Sequence, residues 1–213
     1  MSNIVVFGAG GRAGRHAVAE AESRGHRVTA VVRDPAKYPG LAANVVAGDV
    51  TSADSVAAVA AGHDAAISTV ARLDVPSAEF YVAAAHALLE GLPRAGVGRL
   101  VAVGIGSLLE TAPGVRVVDA PDVPADARAF SLGHAAELAA FRAADTELDW
   151  LVLAPPPTLL DNDAPRTGHY RIGGERVLPE REDGGLFRYA DLAVALVDEV
   201  ETPKHHRAQV AVA

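Results

Sequence analysis

A run of apolar residues, Ile4-Val5-Val6-Phe7, ends in a cluster of glycines, Gly8-Ala9-Gly10-Gly11-Arg12-Ala13-Gly14, and a helix-like segment follows at once. No other feature of the chain constrains its fold as strongly. A strand that turns tightly into a helix presents the free N–H groups of the first helical turn. Positions without side chains then let a phosphate approach the backbone. The glycines fit two spacings: Gly8, Gly10 and Ala13 match G-x-G-x-x-A, and Gly8, Gly11 and Gly14 match G-x-x-G-x-x-G. Glycines alone also fit a plain structural turn. Their position between a strand and a helix points to the pyrophosphate of a dinucleotide.

The remaining segments alternate between strand-like and helix-like, which predicts an α/β Rossmann fold, a parallel sheet covered on both faces. Strands are expected at 3–7, 27–32, 44–47, 65–68, 99–103, 150–154 and 208–212. Most are apolar throughout, as strands buried on two faces should be. Helices are expected at 12–24, 52–60, 78–95, 126–144 and 189–201, with Gly25 and Gly62 placed as helix-terminating glycines. Asp54 and Asp126 fall near helix starts. After Ala154 the run Pro155-Pro156-Pro157 breaks the pattern, and a small irregular lobe is expected from about 155 to 188, with 167–172 as its one short strand. The whole of 1–213 reads as one domain.

Composition narrows the function classes. The chain is 50% hydrophobic and 22% charged, enough to bury a core, and its 5% aromatic content suggests alanine-rich helices packed closely on the sheet. A net charge of -8 with no lysine or arginine cluster argues against a nucleic-acid surface. With no cysteine, thiolate catalysis, disulfides and cysteine-ligated metals are excluded. The first strand begins almost at the N-terminus, and no apolar run approaches the roughly 18 residues of a membrane helix. A soluble cytoplasmic protein without a membrane or nucleic-acid partner is expected, with a small molecule as its substrate; the oligomeric state is left open.

The end of the second strand bears on which dinucleotide binds. An acidic residue there would bond the ribose hydroxyls of NAD, whereas arginine accommodates the 2′-phosphate of NADP. The sequence reads Val31-Val32-Arg33-Asp34-Pro35. Arg33, with Arg12 from the glycine turn, favours NADP(H), because a guanidinium can donate two bonds to a phosphate. Asp34 keeps NAD(H) as the alternative, as does an Arg33 that merely pairs with Asp34. Asp49 and Val50 follow the third strand, beside the expected adenine; Asp49 also fits a turn or cap. Ser68, Thr69 and Val70 end the fourth strand near the inner riboses, or simply form a loop.

These stretches, with Gly104-Ile105-Gly106-Ser107-Leu108, Leu148–Pro156, Arg166-Thr167-Gly168-His169-Tyr170 and Tyr189-Ala190-Asp191-Leu192, resemble the atypical short-chain dehydrogenase/reductase superfamily. The specific likeness is to its NAD(P)H-binding branch of NmrA-like and flavin reductase/biliverdin-IXβ reductase type proteins. The resemblance implies a doubly wound sheet of order 3-2-1-4-5-6. It also places substrate above the nicotinamide, with Pro155 and Pro156 shaping that end of the pocket.

Catalysis is where the pattern breaks. The superfamily uses a serine with Y-x-x-x-K, and Ser107 stands where the serine belongs. Phe130 and His134 occupy the places of the tyrosine and lysine. Phenylalanine cannot donate a proton. Three routes remain: hydride transfer to a flavin-like, quinone-like or other conjugated acceptor whose proton comes from water; a substitute acid; or no chemistry, as in an NADP(H)-binding redox sensor. The candidate acids are His134, His169 and Tyr170. Against these stand plainer readings: His134 as a packing or ribose-contacting residue, His169 and Tyr170 as scaffolding, Ser107 as a turn serine. His205 and His206 read as solvated, without a carboxylate partner, and no metal is expected.

Overall fold

The computed structural model describes residues 1–41, 44–180 and 184–213. Its apolar runs form β1 (Asn3–Phe7), β2 (Arg27–Val32), β3 (Asn44–Ala47), β4 (Ala65–Ser68) and β5 (Arg99–Val103). A short hairpin of β6 (Glu110–Ala112) and β7 (Val115–Arg116) follows, then β8 (Asp149–Ala154) and β9 (Ala208–Ala211). Seven strands make one parallel sheet in the order β3-β2-β1-β4-β5-β8-β9. The expected 3-2-1-4-5-6 order is present, with β9 added at the edge.

The strands connect through α1 (Arg12–Ser23), α2 (Ala53–Ala60), α3 (Ser77–Arg94), α4 (Ala125–Ala143) and α5 (Tyr189–Glu201). Successive strand residues point to opposite faces, so β1 feeds two cores. Ile4 and Val6 pack with α1 and α5, while Val5 and Phe7 pack with α2, α3 and α4. Gly25 and Gly62 take φ of +83° and +77°, ending the helices before β2 and β4. Ser52, rather than Asp54, caps α2, its hydroxyl accepting from the Ser55 N–H at 3.3 Å.

Two expectations about the later chain change. The hairpin was not foreseen, and 167–172 forms no strand. The backbone there is bonded elsewhere: Thr167 and Gly168 donate to the Asp191 carboxylate at 2.8 Å each, and Arg171 exchanges bonds with Ala213. Ile172 makes an isolated bridge to Val212. Residues 181–183 of the expected lobe lie outside the described residues.

At the amino ends of the strands lies a network of ion pairs. Glu20 on α1, 6% exposed, receives Arg24 at 2.8 Å and both Nε and Nη2 of Arg166 at 2.8 and 2.9 Å. Arg24 reaches on to Asp198 and Glu201 at 2.6 Å each. Burial raises the Glu20 carboxyl, but its two arginines outweigh that and hold it below its ordinary value. His205 and His206 belong here too. Contrary to expectation each has a carboxylate partner, Glu199 at 2.7 Å and Asp149 at 2.8 Å. Tyr170 donates to Asp198 at 2.6 Å. It therefore stands with this network and not among the cleft residues. Among the described residues no helix is long and apolar enough to cross a membrane.

Candidate functional site

Strand order reverses at β1, whose neighbours are β2 and β4, and a crevice opens beyond the carboxyl ends of the strands at such a point. Phe7 pairs in register with both Val31 and Ser68, so three strands end level at one rim. The cleft there has a volume of about 490 Å³, within the range of small-molecule sites.

The glycine turn forms its floor. Gly8 has φ +75°, and a Cβ there would sit 2.8 Å from the Thr69 carbonyl. Thr69 closes the turn from β4, its hydroxyl lying within bonding distance of the carbonyls of Phe7 and Gly8 at 3.0 and 3.2 Å. Gly10 lies under the Tyr38 ring, and Gly11 faces open space apart from the Gly8 oxygen at 3.4 Å. Helix α1 then begins at Arg12, after Gly11 as an N-cap that offers no side-chain bond, and has no acidic residue in its first turn. By contrast, α2 has both. An uncapped, acid-free N-terminus beside side-chain-free backbone fits a dinucleotide's phosphates.

Of the sequence-predicted site residues, Gly8, Gly10, Gly11, Arg12, Ala13, Arg33, Asp49, Val50, Thr69, Val70, His134 and Pro155 line this cleft. Four others do not. Gly14 is buried against the Gly8 oxygen, where a Cβ would come within 2.3 Å. Ser68 is buried inside β4. Pro156 has its backbone packed close over Gly106. Ser107 is turned to α4, its hydroxyl 2.7 Å from that of Ser131.

The β3-β2-β1 side is polar. Arg33 is exposed at the end of β2, while the Asp34 carboxylate turns into its own loop, accepting from the Ala36 N–H at 3.2 Å and lying 3.6 Å from Lys37. Asp49 takes the turn role at the edge of the cleft. It lines the cleft and also organises its turn by accepting from the Thr51 hydroxyl and N–H at 2.6 and 2.9 Å. Those bonds, and the nearby charges of Arg72 and Arg33, hold the Asp49 carboxyl below its ordinary value.

The β4-β5-β8 side is apolar and aromatic, with Phe80, Tyr81, Ile105, Phe130, His134 and Pro155 in the wall. His134 is 6% exposed and bonds Glu137 through Nδ1 at 2.8 Å. Its ring lies 3.8 Å from that of Tyr81 and meets Phe130 edge-on at 5.3 Å. Tyr81 is fully buried, which raises its phenol above the usual range, and its hydroxyl has no hydrogen-bond partner among the described residues. Leaving a buried hydroxyl unpaired costs about 1–3 kcal/mol.

Sequence reasoning missed Tyr38, Arg72, Phe80 and Tyr81. Tyr38 covers Gly10 and carries the Arg15 guanidinium 5.6 Å over its ring. Arg72 pairs with Asp74 at 2.5 Å and lies 5.9 Å over Phe80. Each reaches the cleft from a loop or helix start distant in sequence, and no local spacing marks it.

Comparison with known proteins agrees with this geometry. The profile of a family described as NAD(P)H-binding matches residues 8–203. The chain is 31% identical over 205 residues to the uncharacterized protein YwnB of Bacillus subtilis (strain 168), covering 95% of this chain and 93% of that one. A solved structure from Burkholderia pseudomallei, provisionally named as an exported protein, superposes with a TM-score of 0.86 at 34% identity over 100% of both chains. A provisionally named NADH-flavin reductase from Streptococcus pneumoniae TIGR4 gives 0.84 at 28% identity, over 100% of this chain and 99% of that one.

Proposed function

The chain belongs to the NAD(P)H-binding family, in keeping with its resemblance to the atypical short-chain dehydrogenase/reductases, and from that premise we propose that it is an NADPH-dependent reductase. Its acceptor is a flavin-like, quinone-like or other conjugated small molecule. One observation carries the proposal: an anion-ready helix terminus and an aromatic wall share a single cleft. The name of the Streptococcus pneumoniae relative, an NADH-flavin reductase, supports the reductase chemistry and the flavin-like acceptor.

The backbone of Gly10–Ala13 holds the phosphates, and Arg33, with Arg12, takes the 2′-phosphate of NADP(H). The engagement of Asp34 in its own turn favours this over NAD(H). When bound, the reduced nicotinamide supplies a hydride. The protein contributes orientation and a dry, shaped wall for the acceptor.

Arg33→Ala is expected to weaken NADPH binding about ten- to a hundredfold, the effect of losing a charge-assisted bond worth roughly 1.5–3 kcal/mol. NADH binding should change little, so the two affinities, measured by fluorescence titration, give the test. An equal loss for both cofactors would contradict the assignment. For the reaction itself, NADPH oxidation is followed with FMN and 1,4-naphthoquinone as acceptors. Nucleotide binding without turnover of either acceptor would replace the reductase by the NADP(H)-binding sensor that Phe130, in the tyrosine's place, also suits.

A further inference from the structure

The aromatic end of the cleft contains more than apolar rings. Three polar side chains from two helices are gathered there. Tyr81 comes from the first turns of α3, and His134 and Glu137 come from α4. All three are buried, at 0%, 6% and 5% exposed. The Glu137 carboxylate accepts from His134 Nδ1 at 2.8 Å, which fixes the ring and leaves Nε2 as the nitrogen free to exchange a proton. The Tyr81 ring lies tilted against the same ring, and its hydroxyl has no partner among the described residues. Buried polar groups without a partner are rare in proteins and ask for a reason. A packing role alone would be filled better by phenylalanine, as it is at Phe80 and Phe130 on either side.

We infer that His134 and the Tyr81 hydroxyl form a proton-donating pair, with Glu137 as its positioning residue, and that the acceptor is a conjugated carbonyl compound of the quinone or enone class. This rests on the reductase reading above. The chemistry distinguishes the acceptors. A flavin that takes a hydride can leave as the anion, whereas a conjugated carbonyl that takes a hydride on carbon gathers negative charge on oxygen. His134, protonated on both nitrogens, gives its Nε2 proton to that oxygen. The N–H bond breaks, an O–H bond forms, and the neutral ring regains a proton from water. The Tyr81 O–H donates to the same oxygen without transferring its proton. One hydride from the reduced nicotinamide and one proton from His134 complete a two-electron reduction. The pair thus fills the place that Phe130 leaves empty, with Tyr81 from α3 and His134 from the same helix as Phe130.

The test uses p-nitrophenol, a planar phenol whose anion imitates the charged oxygen and whose absorption reports its ionisation. The NADP⁺-loaded wild type should bind it as the anion. Tyr81→Phe should weaken that binding at least tenfold while leaving the melting temperature unchanged or raised, since it removes an unpaired hydroxyl. His134→Gln should weaken it likewise. Glu137→Gln should lower the ratio of naphthoquinone to FMN turnover at least tenfold, a selective loss that a merely structural role would not give. No p-nitrophenol binding by the wild type, or binding that survives both Tyr81→Phe and His134→Gln, overturns the inference whatever the turnover. Absence of turnover with both acceptors instead overturns the reductase reading.

Discussion

Gly8→Ala is expected to destabilise the protein by roughly 2–5 kcal/mol and to abolish dinucleotide binding. Two effects combine. Gly8 has φ +75°, a conformation that costs an L-residue about 1–2 kcal/mol. The added methyl would also lie 2.8 Å from the backbone carbonyl of Thr69 and 2.9 Å from the Val70 Cα. Backbone cannot swing aside as a side chain can, and overpacking of this kind costs about 1–3 kcal/mol. Thr69 and Val70 line the cleft, so the forced shift falls on the binding surface itself. Gly25→Ala is the control. It has φ +83° but nothing within 4 Å of its Cβ position, so the backbone cost is paid without a collision. Urea unfolding and NADPH titration of both variants give the comparison. Equal stability losses, or normal binding by Gly8→Ala, would contradict this account.

The second large effect is expected at Asp191→Ala, about 3–5 kcal/mol. Asp191 is fully buried at the start of α5 and accepts from the Thr167 N–H and hydroxyl at 2.8 and 2.7 Å and from the Gly168 N–H at 2.8 Å, with Arg188 at 3.5 Å. Its loss strands two backbone donors and frees the segment they anchor. Burial raises this carboxyl, but the bonds from Thr167 and Gly168, and from Arg188, bring it below its ordinary value. A carboxyl depressed in the folded state adds stability above its unfolded pKa, and that stability is lost as the pH falls through the folded value. Asp191→Asn should therefore be less stable than wild type at neutral pH, and the gap should close on acidification. Denaturant unfolding across an acid series measures it. A gap that stays constant down to the lowest pH would refute the linkage.

Much of the fold was legible because burial on two faces writes itself locally. Ile4–Phe7 and Leu151–Ala154 are continuous apolar runs, and Gly25 and Gly62 mark where helices must stop. The segment 167–172 misled because its alternating pattern suits a strand, while its hydrogen bonds are claimed by a carboxylate 24 residues on and by the chain's last residue. The glycine turn on the floor of the cleft could be read from spacing alone. Ser107 could not, because its hydroxyl faces Ser131 across a packing contact rather than the cleft. Tyr81 carried no signal at all. A tyrosine in the apolar stripe of a helix reads as core, and only the lack of a hydroxyl partner among the described residues sets it apart.

Helix α1 meets the expected phosphates at its first turn, and about two turns later Glu20 joins it to Arg166 and, through Arg24, to α5. Opening α1 breaks these ion pairs, so the pieces are expected to open together in amide exchange. Occupancy of the cleft acts on that opening by mass action. NADPH should then slow hydrogen exchange at Thr167 and Gly168 as well as at Arg12 and Ala13, although the first pair stands outside the cleft. The nucleotide would be registered in the protection pattern of a segment that it does not touch.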